Sequence, residues 1–159
     1  MSTAKRNLQE QVMAMGSSCY ALQARRTANQ LMRSYNRALA PLGLEIAQFS
    51  TLCVVAAEQA LSVAEMAAHL GVERSTLVRN LKLMERDGLI AQAGRDGRRV
   101  RYRISPRGAA LLEQALPVWR DVQAAIGAAL GRGDPRQSMR RLRGAARQLD
   151  GADGGAAAS

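Results

Sequence analysis

Hydrophobic positions recur along this chain at helical spacing, except in one short stretch where they alternate. Residues 18–40, 73–87, 106–130 and 135–149 place apolar side chains three or four positions apart, which is typical of helices with one face in a core. Residues 46–58 are apolar almost all round, which predicts a central, buried helix. Residues 99–104 alternate instead, with Val100, Tyr102 and Ile104 on one side and three arginines on the other. The pattern predicts a mainly α fold with a small β-hairpin.

Local signals divide the middle of the chain into short elements. Ser62 and Glu65 have the spacing of a capping box, which opens a short helix that Gly71 ends. An amphipathic helix over residues 73–87 follows this turn, and the combination is typical of a helix-turn-helix. A strand over 89–93, a turn over 94–98 and a strand over 99–104 then predict a wing. Ser105 and Pro106 have the residue types of a helix start.

The positive charge is concentrated in two blocks. The chain has 23 Lys and Arg against 13 Asp and Glu, a net charge of +10. Residues 73–107 hold ten basic and four acidic residues, and residues 132–149 hold six and one. Such an excess favours a polyanionic partner. The second block is either a solvated helix face or a source of added phosphate contacts and electrostatic steering.

The first block has the arrangement expected of a DNA-reading surface. On a helical wheel of residues 73–87, Ser75, Arg79, Lys82 and Arg86 lie opposite the apolar stripe. Arg79 is placed to contact guanine, while Ser75 and Thr76, near the helix start, suit phosphate or base contacts. Lys82 and Arg86 suit phosphates. Arg95 and Arg98 lie at the hairpin tip, where arginines enter narrow minor grooves.

Several other classes of protein do not fit the sequence. No run of about 18 apolar residues and no secretory signal are present, so we expect a cytoplasmic protein without a membrane partner. Cys19 and Cys53 lack the spacing of a zinc site or a disulfide framework, and we expect no metal and no cofactor. With one histidine and no nucleotide-binding motif, we do not expect an enzyme.

The chain resembles the MarR family of winged helix-turn-helix regulators over about residues 17–149. The resemblance lies in the segments 39–44, 48–49, 75–79, 83–90, 95–99 and 105–108, which read LAPLGL, QF, STLVR, LMERDGLI, RDGRR and SPRG. It implies a homodimer on a palindromic operator, with Arg79 as a base reader and Arg98, braced by Asp96, as the wing arginine. The DNA-binding candidates are Ser75, Thr76, Arg79, Lys82, Arg86, Arg95, Asp96, Arg98, Arg99 and Arg101.

The expected organisation has four parts. Residues 1–16 form an N-terminal arm, and residues 46–105 form the winged helix-turn-helix lobe. Residues 17–45 and 106–149 form a helical dimerisation region, and residues 150–159 form a flexible tail. The dimerisation region has long apolar stripes that one small lobe cannot cover, and a two-fold homodimer covers them most simply.

We therefore expect a sequence-specific regulator of double-stranded DNA, a repressor that a small anionic effector releases. The family resemblance implies aromatic or heteroaromatic carboxylates as effectors, and Arg25, Tyr35 and His69 are the candidate contacts. Two alternatives stay open. Cys19 lies in a segment similar to the hydroperoxide-sensing branch of the family, which predicts a redox-sensing repressor. The other is a non-specific architectural protein that binds only phosphates.

Overall fold

Seven α-helices and one hairpin account for most of the residues that this computed structural model describes, namely 3–57, 61–96, 99–131 and 134–153, with backbone alone at 3, 4, 17, 95, 96, 99 and 149–153. This architecture confirms the predicted fold class. In chain order the elements are α1 (Thr3–Ser18), α2 (Tyr20–Leu39), a 3-10 turn (Ala40–Leu42), α3 (Ile46–Ala56), α4 (Val63–Leu70), α5 (Arg74–Arg86), β1 (Ile90–Asp96), β2 (Arg99–Ile104), α6 (Pro106–Leu130) and α7 (Pro135–Asp153).

Hydrogen bonds from side chains to the backbone hold the junction between α2 and α3. Pro41 stands in the 3-10 turn, and Gly43 then takes a left-handed conformation with φ of 67°. The side-chain oxygen of Asn36 accepts the Ile46 N–H at 2.8 Å, and the Gln48 side chain accepts the Glu45 N–H at 2.9 Å. These two bonds satisfy the N–H of Ile46, the first residue of α3, and the N–H of Glu45 just before it, neither of which has a carbonyl partner inside the helix.

The hairpin is longer than its sequence pattern predicts. β1 was expected to end at residue 93, but it continues through Gly94 and Arg95 to Asp96, which pairs with Arg99. The register shifts between Gln92, opposite Tyr102, and Gly94, opposite Arg101, so Ala93 is the extra residue of a bulge. Gly94 has φ of 126°, which a residue with a side chain rarely adopts. The bulge and this glycine let pairing continue where a turn was predicted.

The core lies among α2, α3, α4, α5, the base of the hairpin and the first half of α6. Its largest fully buried apolar side chains are Leu39, Leu52, Leu77, Leu81, Met84 and Ile90. Phe49 of α3 stacks on Trp119 of α6, with ring centroids 6.1 Å apart. With so few aromatic residues available, aliphatic and methionine side chains supply most of the buried surface.

The start of α6 is tied to the base of the hairpin. The Ser105 hydroxyl donates to the Gly88 carbonyl at 2.6 Å and accepts the Gly108 N–H at 2.9 Å, and the Ser105 N–H donates to the Leu89 carbonyl at 3.0 Å. The predicted N-cap is therefore confirmed, with Pro106 at the first helical position. These bonds hold the end of α5, the first residues of the hairpin and α6 together.

The chain forms two compact units, Met1–Val122 and Gln123–Ser159. The first unit holds the core and the hairpin, and the second holds the rest of α6, which continues past Pro117, and α7. α7 extends to Asp153, into the segment predicted as a tail, and residues 154–159 lie outside the described part. Within the described residues no single helix could span a membrane, although the pair Tyr20–Leu42 and Ile46–Ala56, bent by 76°, has sufficient length and apolar composition.

Candidate nucleic-acid interface

The helix-turn-helix is built from α4, a glycine turn and α5. The Ser62 hydroxyl accepts the Glu65 N–H at 3.3 Å, and the Glu65 carboxylate accepts the Ser62 N–H at 2.7 Å, so the predicted capping box is present. Gly71 ends α4 in the left-handed conformation, with φ of 66°. This conformation costs a residue with a side chain about 1 kcal/mol or more, so glycine suits the sharp turn into α5.

α5 has one buried face and one exposed polar face. Leu77, Leu81 and Met84 are at most 1% exposed, which confirms the predicted apolar stripe. All the predicted DNA-facing side chains are exposed, namely Ser75, Thr76, Arg79, Lys82 and Arg86. Because the apolar face is held in the core, α5 presents this cationic row outward in a fixed orientation. A row of donors on an exposed helix is the arrangement that contacts base edges and phosphates in a major groove.

Arg86 already has a partner on the protein surface. Its guanidinium contacts the Asp87 carboxylate at 3.1 Å through Nη2 and also donates from Nε at 3.1 Å. The Arg86 side chain nevertheless remains 73% exposed. An anion that binds Arg86 would therefore compete with Asp87.

The hairpin presents its charged side outward. Val100, Tyr102 and Ile104 are partly buried, while Arg101 and Arg103 are exposed, as the alternation predicts. Burial, and then the negative charge of Glu85, raise the pKa of Tyr102. Arg98, the predicted wing arginine, lies outside the described residues, as do the side chains of Arg95, Asp96 and Arg99. The hairpin therefore adds a cationic edge that directly follows α5.

A polar contact that the sequence does not predict joins α5 to α3. Thr51 is 1% exposed, and its hydroxyl donates to the Ala47 carbonyl at 2.7 Å. The Asn80 amide of α5 donates to the same hydroxyl at 3.4 Å. The sequence places Thr51 in a mainly apolar helix, which does not reveal its partner. The contact places a polar link directly behind the exposed row.

Both residues of this link also line an apolar cleft of about 270 Å³. Its walls come from α2, α3, the end of α4, the turn and α5, and the lining residues are Met32, Ile46, Ala47, Ser50, Thr51, Leu70, Val72, Thr76, Leu77 and Asn80. The cleft is thus mainly hydrophobic, with hydroxyl and amide groups at a few points. Such a lining suits a small ring with a few polar substituents.

The three predicted effector residues do not line this cleft. Arg25 and His69 are exposed, whereas Tyr35 is partly buried and burial raises the pKa of its hydroxyl. His69 is next to Leu70, which does line the cleft. The structure therefore does not bring Arg25, Tyr35 and His69 together around the one cleft described above.

The two cysteines occupy different surroundings. Cys19 is half-buried at the residue before α2, and the adjacent Tyr20 is 83% exposed. Cys53 is half-buried in α3, where burial raises the pKa of its thiol. Among the described residues no group of three or more His, Cys, Asp or Glu side chains is placed to hold a metal ion.

Comparison with known proteins relates this arrangement to bacterial regulators. Residues 42–99 match the MarR family. The transcriptional regulator MosR of M. tuberculosis is 38% identical, with coverage of 86% of this chain and 98% of that chain and a TM-score of 0.74. MosR in complex with DNA is 40% identical, with coverage of 85% and 98% and a TM-score of 0.73.

A more distant neighbour carries a small aromatic acid. It is a MarR family protein of Mycobacterium tuberculosis in complex with salicylic acid, 28% identical, with coverage of 83% of this chain and 96% of that chain and a TM-score of 0.55. The comparison with curated proteins returned no match. The neighbours named here thus include one complex with DNA and one with an aromatic acid.

Proposed function

Because the chain belongs to the MarR family of DNA-binding transcriptional regulators, we propose that it is a repressor that binds a palindromic operator as a homodimer. A small aromatic or heteroaromatic carboxylate releases it from this operator. The observation that carries the proposal is the exposed row of α5, held outward by its buried stripe and followed by a cationic hairpin. MosR, at 40% identity, has been crystallised with DNA, which supports the same partner for this chain.

Within the proposed complex, α5 lies in the major groove. Arg79, in the middle of the exposed row, donates two hydrogen bonds to a guanine, and Lys82 contacts phosphate. Ser75 and Thr76, near the start of α5, contact phosphate or base, where the free amides of a helix start also favour an anion. The hairpin with Arg95, Arg98, Arg99 and Arg101 lies along the neighbouring minor groove. Asp96 braces Arg98.

The homodimer is proposed from exposed apolar side chains. Met32 of α2, Leu130 of α6, and Met139 and Leu142 of α7 are between 43% and 54% exposed. They fall in residues 17–45 and 106–149, the proposed dimerisation region, while residues 46–105 form the proposed lobe. A second copy removes such surface from water. Two lobes related by a two-fold axis would read half-sites about 34 Å apart.

The DNA-reading roles are tested by two matched variants. Arg79→Ala removes a base contact and should weaken binding to promoter DNA by about 1–3 kcal/mol, with a smaller effect on random DNA. Lys82→Ala, on the same exposed row, should weaken binding to both DNAs about equally. Competition gel shifts with the promoter DNA of the chain's own gene and with a random duplex of equal length measure both.

The outcome separates the repressor from an architectural DNA-binding protein. If the parent chain binds both duplexes equally, with a steep salt dependence, the sequence-specific function is refuted and non-specific binding replaces it. If Arg79→Ala weakens binding to both DNAs by the same factor, Arg79 contacts phosphate, and its assignment as a base reader fails.

For release, we propose the cleft behind α5 as the effector site. Its apolar walls suit an aromatic ring, and the Ser50 hydroxyl and the Asn80 amide offer donors to a carboxylate. Thr76 and Asn80 line the cleft and belong to α5, so an occupant contacts α5 directly, and Thr76 also belongs to its exposed row. A ligand that binds the free form more tightly than the DNA-bound form shifts the population off the operator.

Salicylate and benzoate are suitable probes for this site. One of the two probes should raise the melting temperature of the parent and should also release promoter DNA from it in a gel shift. Ala47→Leu fills the cleft with an apolar side chain and should abolish both effects while leaving DNA binding intact. If the cleft is the site, Arg25→Ala should leave both the rise in melting temperature and the release of DNA unchanged. If Arg25→Ala abolishes both effects and Ala47→Leu does not, the effector binds at the residues that the sequence predicts.

A further inference from the structure

Four arginines form one line along α7. Arg136, Arg140, Arg143 and Arg147 follow one another at spacings of four, three and four residues, and all four are exposed. At about 100° per residue they fall within roughly 60° of one another around the helix. The line extends for about 16 Å, from a rise of about 1.5 Å per residue. Arg141 lies off this line. We call Arg136, Arg140, Arg143 and Arg147 the arginine line.

The arginine line lies in a part of α7 that has no acidic residue. The sequence has no Asp or Glu between Pro135 and Leu149, and the two acids of α7, Asp150 and Asp153, stand at its C-terminal end. Arg140 contacts Asp134, which precedes the helix, at 3.3 Å. Neighbouring members at three or four residues repel one another, and Arg136 stands in the first turn, where the helix dipole favours anions rather than cations. These like charges therefore lower the stability of α7 by itself. An external anion bound to the arginines would reduce their mutual repulsion.

The arginine line is also separate from the apolar face of α7. Met139, Leu142 and Ala146 point about 100° away from it around the helix axis. Met139 and Leu142 are 45% and 43% exposed, and they are the side chains that the proposed homodimer covers. A partner on the apolar face therefore leaves the arginine line open to a different molecule.

We propose that the arginine line of α7 is a second, sequence-independent contact for the phosphate backbone of duplex DNA. A duplex carries one negative charge about every 1.7 Å of its axis when both strands are counted, so phosphates are available along the whole of a line of about 16 Å. Arginine donates two parallel bonds to a phosphate, which suits this contact. This inference rests on the proposed function and adds a surface outside the winged lobe.

The test compares two variants with the same loss of charge. The triple variant Arg136→Gln, Arg143→Gln and Arg147→Gln changes the arginine line and keeps the contact between Arg140 and Asp134. The control changes three exposed arginines of α2, namely Arg26→Gln, Arg33→Gln and Arg37→Gln. Each variant lowers the net charge by three, from +10 to +7. A third protein carries Lys at positions 136, 143 and 147 and keeps the charge of the parent.

Affinity for a random duplex is measured by fluorescence anisotropy at several salt concentrations. If three phosphate contacts are lost, the slope of log affinity against log salt falls by about 2.7 for each α7 engaged. Between about 50 and 200 mM salt, the parent should then lose about 40-fold more affinity than the variant. The Lys variant should retain the parent slope. Preference for promoter over random DNA should not change in the triple variant.

Three results would overturn the proposal. One is a slope that falls by less than about two in the triple variant. Another is an equal fall in the α2 control, which would make net charge the cause. The third is that the parent binds phosphatidylserine vesicles and the triple variant does not, while both proteins bind DNA equally well. This result would assign the arginine line to a membrane surface. Failure of the parent to prefer promoter DNA refutes the proposed function instead, and the slopes on random DNA still decide the role of α7.

Discussion

Substitution of Gly108 by alanine tests how α6 is seated on the base of the hairpin. Gly108 is buried in the first turn of α6, and its N–H donates to the Ser105 hydroxyl at 2.9 Å. A Cβ placed on this residue would overlap the carbonyl oxygen of Leu89 and lie 3.0 Å from Cγ1 of Ile104. Since the overlapped atom belongs to the backbone, α6 or the hairpin has to move.

The expected cost follows from this contact. The Leu89 carbonyl that would be displaced also accepts the Ser105 N–H at 3.0 Å. Overpacking costs about 1–3 kcal/mol, and loss of the hydrogen bond adds about 1 kcal/mol. Alanine is better than glycine inside a helix by about 1 kcal/mol, which offsets part of the loss. We expect Gly108→Ala to lower the free energy of unfolding by about 1–3 kcal/mol.

Thermal and urea unfolding at one fixed protein concentration measure this effect. For a chain of this length the melting temperature should fall by about 2–12 °C. Gly127→Ala, in the same helix, is the matched control, because nothing lies within 4 Å of its added Cβ. It should leave stability unchanged or raise it by up to about 1 kcal/mol. A Gly108→Ala protein as stable as the parent would show that the helix start shifts freely, which refutes the reasoning.

Three further predictions concern the surface and the thiols. Ser62→Ala removes the capping box and should lower the free energy of unfolding by about 1 kcal/mol in a urea titration; no change in the midpoint would contradict the role of the cap. Burial raises the pKa of the Cys53 thiol, so in a Cys19→Ser protein a disulfide reagent should label Cys53 slowly until urea is added; fast labelling of the native protein would be inconsistent with this environment. Asp87→Asn frees Arg86 and should raise DNA affinity by about 1.4- to 5-fold at low salt; unchanged or weaker binding in an anisotropy titration would argue against competition by Asp87.

Much of the fold could be predicted because its signals are local. The helix after Ser62 is set by a hydroxyl and a carboxylate three residues apart, and its end is set by a glycine at φ of 66°. The two faces of α5 follow from helical periodicity, and the structure buries Leu77, Leu81 and Met84 as that periodicity requires. In each case the residues that decide the structure stand within a few positions of one another. The exposed row of α5 could be predicted for the same reason.

The remaining features depend on residues that are distant in the sequence. Asn80 meets Thr51 only because α5 packs on α3, and the hairpin extends to Asp96 only because a bulge at Ala93 aligns it with β2. Periodicity specifies which face of a helix is buried, but not which side chain of another element it contacts.

The sequence by itself therefore determined most of the elements, the exposed cationic face of α5 and the family resemblance. Only the tertiary structure decided what lies behind that face, which is a polar link and a cleft of about 270 Å³. The cleft does not include Arg25, Tyr35 or His69, although the sequence singled them out by residue type. The physical reason is that a reading face is a property of one helix, whereas a cavity is the space left by the packing of several elements.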